Sequence, residues 1–357
     1  MKGNTVSALR GRAVRSRGNR RSRAVRSLVV AAAVIAALTP SGLLAGPANA
    51  GGVPATPSPG CAAAPAAPGT TVERFAAAGR SGTYIRDIPP DAPGPRPVVL
   101  DLHGYMEPAA IARASSGFGD YGAARGFITV TPQLDEPGLP RWNFRPGSPD
   151  IDWIAHLLDH VESTLCADTR RIFVTGLSMG AFTTSSVACQ LSDRVAAVAP
   201  VAGVQDFAWC NTSRPVPLIA FHGTADPIIA YTGGAGPNAR LLPSPDGSGS
   251  AAGTGRDGPA VDGPGPASVP DSVAGWARRN GCGTPAERRE TALDVVHERY
   301  PCPAGADVEL YSVQGAGHVW PGSTGFPFPE FLVGTNTTSI DATQLIWEFF
   351  EAHPLPH

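Results

Sequence analysis

Arg171-Ile-Phe-Val-Thr-Gly-Leu-Ser-Met-Gly-Ala-Phe-Thr-Thr-Ser-Ser-Val-Ala188 decides the fold. Its first five residues form a short apolar run, read as a buried strand. They lead directly into Gly176-Leu-Ser-Met-Gly180, and the small and apolar residues that follow continue as a helix. The pattern Gly-x-Ser-x-Gly is cheap by itself, but a strand entering it and a helix leaving it are not. Glycines at Gly176 and Gly180 let two backbones approach closely while the turn holds Ser178 in strained dihedral angles. The helix N-terminus then directs N–H groups at whatever the serine binds. The plainer reading is a glycine-rich turn with an idle serine, and the residues elsewhere in the chain decide between them.

Outward from this turn, short apolar runs recur, each closed by glycine or polar residues. They are Pro97-Val-Val-Leu-Asp-Leu-His-Gly104, Phe127-Ile-Thr-Val-Thr131, Ala196-Ala-Val-Ala-Pro-Val-Ala202, Val216-Pro-Leu-Ile-Ala-Phe-His-Gly223 and Val308-Glu-Leu-Tyr-Ser-Val313. Runs apolar at every position are what parallel strands covered on both faces require. Gly79-Arg-Ser-Gly82 between Thr71-Val-Glu-Arg-Phe75 and Thr83-Tyr-Ile-Arg-Asp-Ile88 predicts a hairpin. Between the strands lie helical patterns. Ile151, Ile154, Leu158, Val161 and Leu165 share one face of a helix that Asp150 could cap, and Met179–Gln190 and Asp271–Asn280 are further candidates. A last amphipathic helix, Asp341–His353, would be capped by Ser339 or Asp341. Alternation of strand and helix predicts an α/β, three-layer sandwich around a mostly parallel sheet. Strand, serine turn and helix together make the nucleophile elbow of the α/β-hydrolases.

The chain has 357 residues and a formal net charge of −2, an average of two unlike pieces. Residues 1–50 hold nine of the 28 Lys+Arg and no acidic residue, leaving the remainder at −11. An Arg-rich stretch, the apolar Leu28–Leu38 and the small-x-small Ala48-Asn49-Ala50 read in order as a signal peptide over 1–50. The apolar run is too short to span a bilayer, which takes about 20 residues, so a secreted chain with no membrane contact after cleavage is expected. Its acidity excludes a nucleic-acid partner. Residues 51–69, rich in Ala, Pro and Gly, read as a flexible leader, and 70–357 as the catalytic domain. A Gly/Pro-rich stretch at 243–266 reads as a passive surface insertion. Six cysteines in an exported chain suggest up to three disulfides. Proximity points to Cys282–Cys302 first and Cys189–Cys210 next. No cysteine or histidine spacing suits a metal.

A serine hydroxyl needs a base, and this fold orders its triad Ser, Asp/Glu, His. Of the downstream histidines, His353 and His357 lie at the terminus, His297 in a charged stretch, and His222 inside a buried strand as a core residue. His318, in Gly315-Ala-Gly-His-Val-Trp-Pro-Gly322 just past the last strand, is the candidate base. The acid is Asp226, three residues past a strand end, with Asp206 a weaker competitor. Its work would be to fix the imidazole tautomer. The oxyanion would be bound by the N–H groups of Met179 and of Tyr105, in Leu102-His-Gly-Tyr105. Here His103 reads as structural. Trp320, Trp142 and Tyr231 are candidate pocket walls, Trp320 foremost as a substrate-binding residue.

Taken together, Leu102-His-Gly104, Gly176-Leu-Ser-Met-Gly180, Phe221-His-Gly-Thr-Ala-Asp-Pro227 and Gly317-His-Val-Trp-Pro-Gly322 resemble the secreted polyhydroxybutyrate depolymerase / feruloyl esterase family, including the LpqC-like esterases. Ser268-Val-Pro-Asp-Ser-Val-Ala-Gly-Trp-Ala277, Asn280-Gly-Cys282 and Leu345–Phe350 extend the likeness over residues 70–353. Two departures are the length of the 243–266 stretch and Tyr105-Met106 after His103-Gly104. The resemblance implies hydrolysis of carboxylic esters through an acyl-enzyme on Ser178, with no cofactor, by a monomer. Its substrate would be a plant-polysaccharide acyl ester or a hydroxyalkanoate oligomer. An acyltransferase using the same triad and a non-catalytic cell-wall or polymer binder are the competing classes.

Overall fold

A computed structural model describes residues 54–90, 94–243 and 266–356. The signal peptide expected over 1–50 and nearly all of the insertion expected at 243–266 lie outside the described residues. Within them, ten strands make one sheet: β1 Gly69–Ala77, β2 Arg80–Ile88, β3 Arg96–Leu102, β4 Ile128–Leu134, β5 Ala167–Leu177, β6 Ala197–Val201, β7 Leu218–Gly223, β8 Glu287–Ala292, β9 Val295–Arg299 and β10 Val308–Val313. They are ordered β1-β2-β4-β3-β5-β6-β7-β10-β9-β8. The six central strands, β4 to β10 in that order, are parallel. An antiparallel hairpin flanks each side, β1–β2 and β8–β9.

Apolar residues on both faces of each central strand explain this sandwich. On β3, Val98, Leu100 and Leu102 enter one core and Val99 the other; on β5, Ile172 and Val174 oppose Phe173. The first face is covered by α3 Pro149–Thr164, α4 Met179–Gln190 and α5 Val269–Arg279. The second carries α1 Ala109–Ser116, α2 Phe118–Arg125 and α7 Ala342–Ala352, with the short α6 Glu330–Val333 before it. Ile346, Trp347 and Phe350 of α7 pack on Phe127, Phe173 and Phe221. Each such side chain contributes about 1.5–3 kcal/mol of burial. The chain thus has the α/β-hydrolase three-layer sandwich.

The cap of α3 differs from expectation. Ser148 Oγ accepts from the Asp150 N–H at 3.1 Å, with Pro149 opening the helix. Asp150 instead accepts from Asn143 N (2.7 Å) and pairs with Arg80 (3.0 Å). Asp341 caps α7 and Ser268 caps α5. The β8–β9 hairpin and helices α1 and α2 had no counterpart in the sequence reading.

In its described part, the stretch expected to be a flexible leader is fastened down. Thr56 N donates to Asp168 Oδ1 (2.9 Å), Ser58 N to Ala167 O (2.9 Å) and Ser58 Oγ to Leu165 O (2.8 Å). Cys61 is bonded to Cys166 at the foot of β5, a third disulfide beside Cys189–Cys210 and Cys282–Cys302. A strap with few large apolar groups is thus held by backbone pairing and one covalent link. Opening that link releases a loop spanning 105 residues, so Cys61→Ser/Cys166→Ser should lower Tm by about 5–10 °C. Calorimetry under oxidising conditions checks this; an unchanged Tm would mean the strap contributes nothing to stability.

Candidate active site

Four loops leave the C-terminal ends of neighbouring parallel strands, where open α/β sheets carry their ligands. The β5–α4 turn sets Ser178 at φ 58° and ψ −118°. This left-handed backbone for a residue with a Cβ is held by Ser178 N donating to Val201 O at 2.9 Å and by the continuous helix that follows. Gly180 is obligatory: a Cβ there would lie 2.0 Å from the Leu102 carbonyl oxygen. The turn can therefore lie directly on the end of β3. Met179 opens α4, so its N–H lacks an intrahelical acceptor.

The β7 loop brings Asp226 and the β10 loop brings His318. These loops touch backbone to backbone at Gly223, where a Cβ would meet the Ala316 and Gly317 oxygens at 2.2 and 2.3 Å. Ala225 N donates to Ala316 O (3.0 Å), and His318 N to Val333 O (2.6 Å) beside α6. Asp226 Oδ2 lies 2.7 Å from His318 Nδ1, and Oδ1 accepts from the N–H groups of Ile228 (2.8 Å) and Ile229 (2.9 Å). Burial favours the neutral acid, but the charge of His318 and the hydrogen bonds from His222 and His318 outweigh it. The Asp226 carboxyl is held well below the usual carboxylate range. An ionised carboxylate only accepts, so in the neutral imidazole His318 Nδ1 carries the proton and Nε2 is the acceptor.

Ser178 and His318 line one cleft of about 90 Å³. The arrangement is the set nucleophilic catalysis needs: a hydroxyl on a half-buried elbow lining the cleft, an imidazole in the same cleft, and a buried carboxylate behind it. Its walls include Gly104, Tyr105, Met106, Glu107, Ile228, Leu242, Phe326 and Phe328. Tyr105 and Met179 sit on the loops assigned to the oxyanion, and Tyr105 also donates its hydroxyl to Pro243 O at 2.8 Å. The competing Asp206 pairs with Arg279 at 2.5 Å, on α5.

Trp320 does not reach this cleft, a correction to its expected place in the substrate pocket. It is 1% exposed, its Nε1 donates to Thr343 Oγ1 at 2.9 Å, and its ring meets Phe118 edge-on. Two residues past His318, the chain has already turned down into the core over α7. Tyr231 is likewise engaged below the surface, its hydroxyl 2.6 Å from Ser312 Oγ. Trp142 is buried against His103, with ring centroids 4.7 Å apart, and its indole donates to His103 O.

Two groups near the cleft escaped the sequence reading. His222, read as a core histidine, is buried, and its Nε2 lies 3.1 Å from Asp226 Oδ2 and 3.0 Å from Ile229 O. Glu107, 1% exposed, accepts from Gly104 N (2.7 Å) and Ser115 Oγ (3.2 Å). Burial pushes its carboxyl above the usual range, with these hydrogen bonds and the charge of His318 acting in opposition. For His222, the i, i+4 spacing to Asp226 across a strand end was the available signal; for Glu107 it was an acid three residues past Gly104. The apolar walls Phe326 and Phe328 carried none.

Comparisons with known proteins find similarity to several esterases. No family model matches. A bifunctional acetylxylan esterase/xylanase of Neocallimastix patriciarum is 29% identical over 135 residues, 38% of this chain and 20% of that protein. Feruloyl esterase B of Piromyces equi is 27% identical over 234 residues, 62% of this chain and 39% of that protein. The chain thus spans a fifth to two fifths of the length of these relatives. Both names fall in the group that the sequence motifs resemble. Among solved structures, the acetyl xylan esterase from Aspergillus awamori matches with a TM-score of 0.49 at 14% identity, covering 70% of this chain and 94% of that one.

Two measurements test the local physics. Burial lowers the pKa of His103 to about 4, while the unfolded histidine titrates near its ordinary value, ~6.5. Between these values only the unfolded state takes up the proton, so stability is full above about pH 6.5 and is lost as pH falls towards 4. Urea titrations at pH 7 and 4.5 should show His103→Phe losing less stability than wild type, by on the order of 2–3 kcal/mol; equal losses would rule out a buried neutral imidazole. Trp320→Ala should cost about 3–5 kcal/mol of stability while leaving the KM of the folded protein near that of wild type.

Proposed function

We propose that the chain is a serine carboxylic ester hydrolase working through an acyl-enzyme on Ser178. The observation that carries this reading is the 2.7 Å Asp226–His318 pair opening onto the same cleft as a serine at positive φ. In the proposed sequence, Ser178 Oγ attacks the ester carbonyl carbon as His318 Nε2 takes its proton. The Asp226 carboxylate stabilises the imidazolium that results. The carbonyl oxygen becomes an oxyanion facing the N–H groups of Met179 and Tyr105. Collapse breaks the bond to the alcohol, which leaves with the proton from His318. Water, activated by the same imidazole, then attacks the acyl-serine, and Ser178 recovers its proton.

Apolar walls at Met106, Ile228, Leu242, Phe326 and Phe328 support an uncharged acyl group. So does the net charge of −11 beyond residue 50, which disfavours an anionic substrate. Acetylated or feruloylated polysaccharides, or hydroxyalkanoate oligomers, fit these requirements and the names of the relatives. Three disulfides support work in an oxidising, extracellular setting.

Ser178→Ala should reduce kcat on p-nitrophenyl acetate by at least about 10⁴-fold with an unchanged circular dichroism spectrum. Intact-mass analysis should find one fluorophosphonate adduct on the wild type and none on the variant. Substantial turnover by Ser178→Ala would overturn the reading. A panel of methyl ferulate, acetylated xylan and hydroxybutyrate oligomers then ranks the acyl groups.

A further inference from the structure

Glu107 stands in the cleft wall beside Ser178 and His318, yet the reaction as written gives it no proton to move. A carboxylate so near a developing oxyanion would oppose it unless its own lone pairs were occupied. Both oxygens are engaged: Oε2 accepts from Gly104 N at 2.7 Å and Oε1 from Ser115 Oγ at 3.2 Å. The backbone closes the same turn, with Glu107 N donating to Gly104 O at 3.3 Å. Next along the chain, Met106 adopts φ 65°, and its N–H donates to Pro140 O at 2.9 Å. The amides on either side of Tyr105 are thus each committed to a fixed acceptor. Gly104 is buried, and a Cβ there would lie 3.0 Å from Glu107 Oε2 and 3.5 Å from Ser178 Cβ. The loop is therefore held within contact distance of the serine by a side chain two residues beyond Tyr105.

We propose that Glu107 is a positioning residue of the oxyanion loop: its carboxyl bridges Gly104 N–H and Ser115 Oγ, so that the Tyr105 N–H is aimed at the carbonyl oxygen of a substrate on Ser178. This inference rests on the esterase reading above. It makes Glu107 matter to the transition state more than to substrate binding, because the oxyanion forms only after attack. Removing the acceptor leaves Gly104 N–H buried without a partner and free to turn the loop.

The test compares kcat and KM of Glu107→Leu, Glu107→Gln and Ser115→Ala on p-nitrophenyl acetate, with Tm measured for each. Glu107→Leu should lose about 100-fold or more in kcat, the scale of one misaimed oxyanion donor, with KM nearly unchanged. Glu107→Gln keeps a carbonyl acceptor for Gly104 N–H and should recover kcat to within about tenfold of wild type. A purely structural role predicts instead a lower Tm with an unaltered kcat in the folded fraction. Wild-type kcat in folded Glu107→Leu overturns the proposal. If that variant does not fold, Ser115→Ala decides: a fall in kcat of about threefold or more at constant KM supports the bridge, and an unchanged kcat overturns it. Absence of Ser178-dependent turnover in the wild type would instead overturn the esterase reading and, with it, this one.

Discussion

The carboxylate of Asp226 has almost no access to water, and four hydrogen bonds stand in for its hydration. Two backbone N–H groups of its own loop hold Oδ1, while His318 and His222 approach Oδ2. A buried charge is tolerable only when so satisfied, and satisfying it places severe demands on the surrounding chain. The β7 loop must curl tightly enough for Ile228 and Ile229 to face back. The β10 loop must lie against Gly223, and His222 must enter from within β7. Fixing the imidazole of His318 beside the cleft is a by-product of solvating one carboxylate with protein.

The opposite wall follows the same logic with a different acid. Glu107 is also buried, but its partners are an amide of the oxyanion loop and a hydroxyl of α1. The cleft therefore lies between two carboxyls with different duties, one behind the imidazole and one behind the loop that faces it. Trp142 adds a third support, its ring tilted against that of His103 and its indole N–H donating to the His103 carbonyl. Of these three, only Glu107 lines the cleft itself.

Much of the sheet was legible because β3, β5, β6 and β7 are apolar on both faces, a pattern few other structures produce. The serine turn was legible for a different reason: its glycines answer to backbone clashes at Leu102 that no other residue survives. What stayed hidden depends on distant partners. Cys61 finds Cys166 across 105 residues, and proximity in the chain could not rank that pair. Trp320 looked like a pocket wall because it neighbours His318, but a two-residue step is enough to turn a side chain from the cleft to the core. The charged stretch around His297 was read as solvated, yet it forms β9, where Val295 and Val296 are buried.

That charged hairpin has a meaning for the sheet as a whole. Six parallel strands rich in valine, isoleucine and phenylalanine would be adhesive if their last member were bare. At this border β8 presents Glu287, Arg288, Arg289 and Glu290, all exposed, with Arg288 paired to Glu298 of β9. A strand from another molecule that tried to extend the sheet there would have to bury those charges. These four residues thus act as a terminus for sheet growth. They make that border an unfavourable place for another chain to pair.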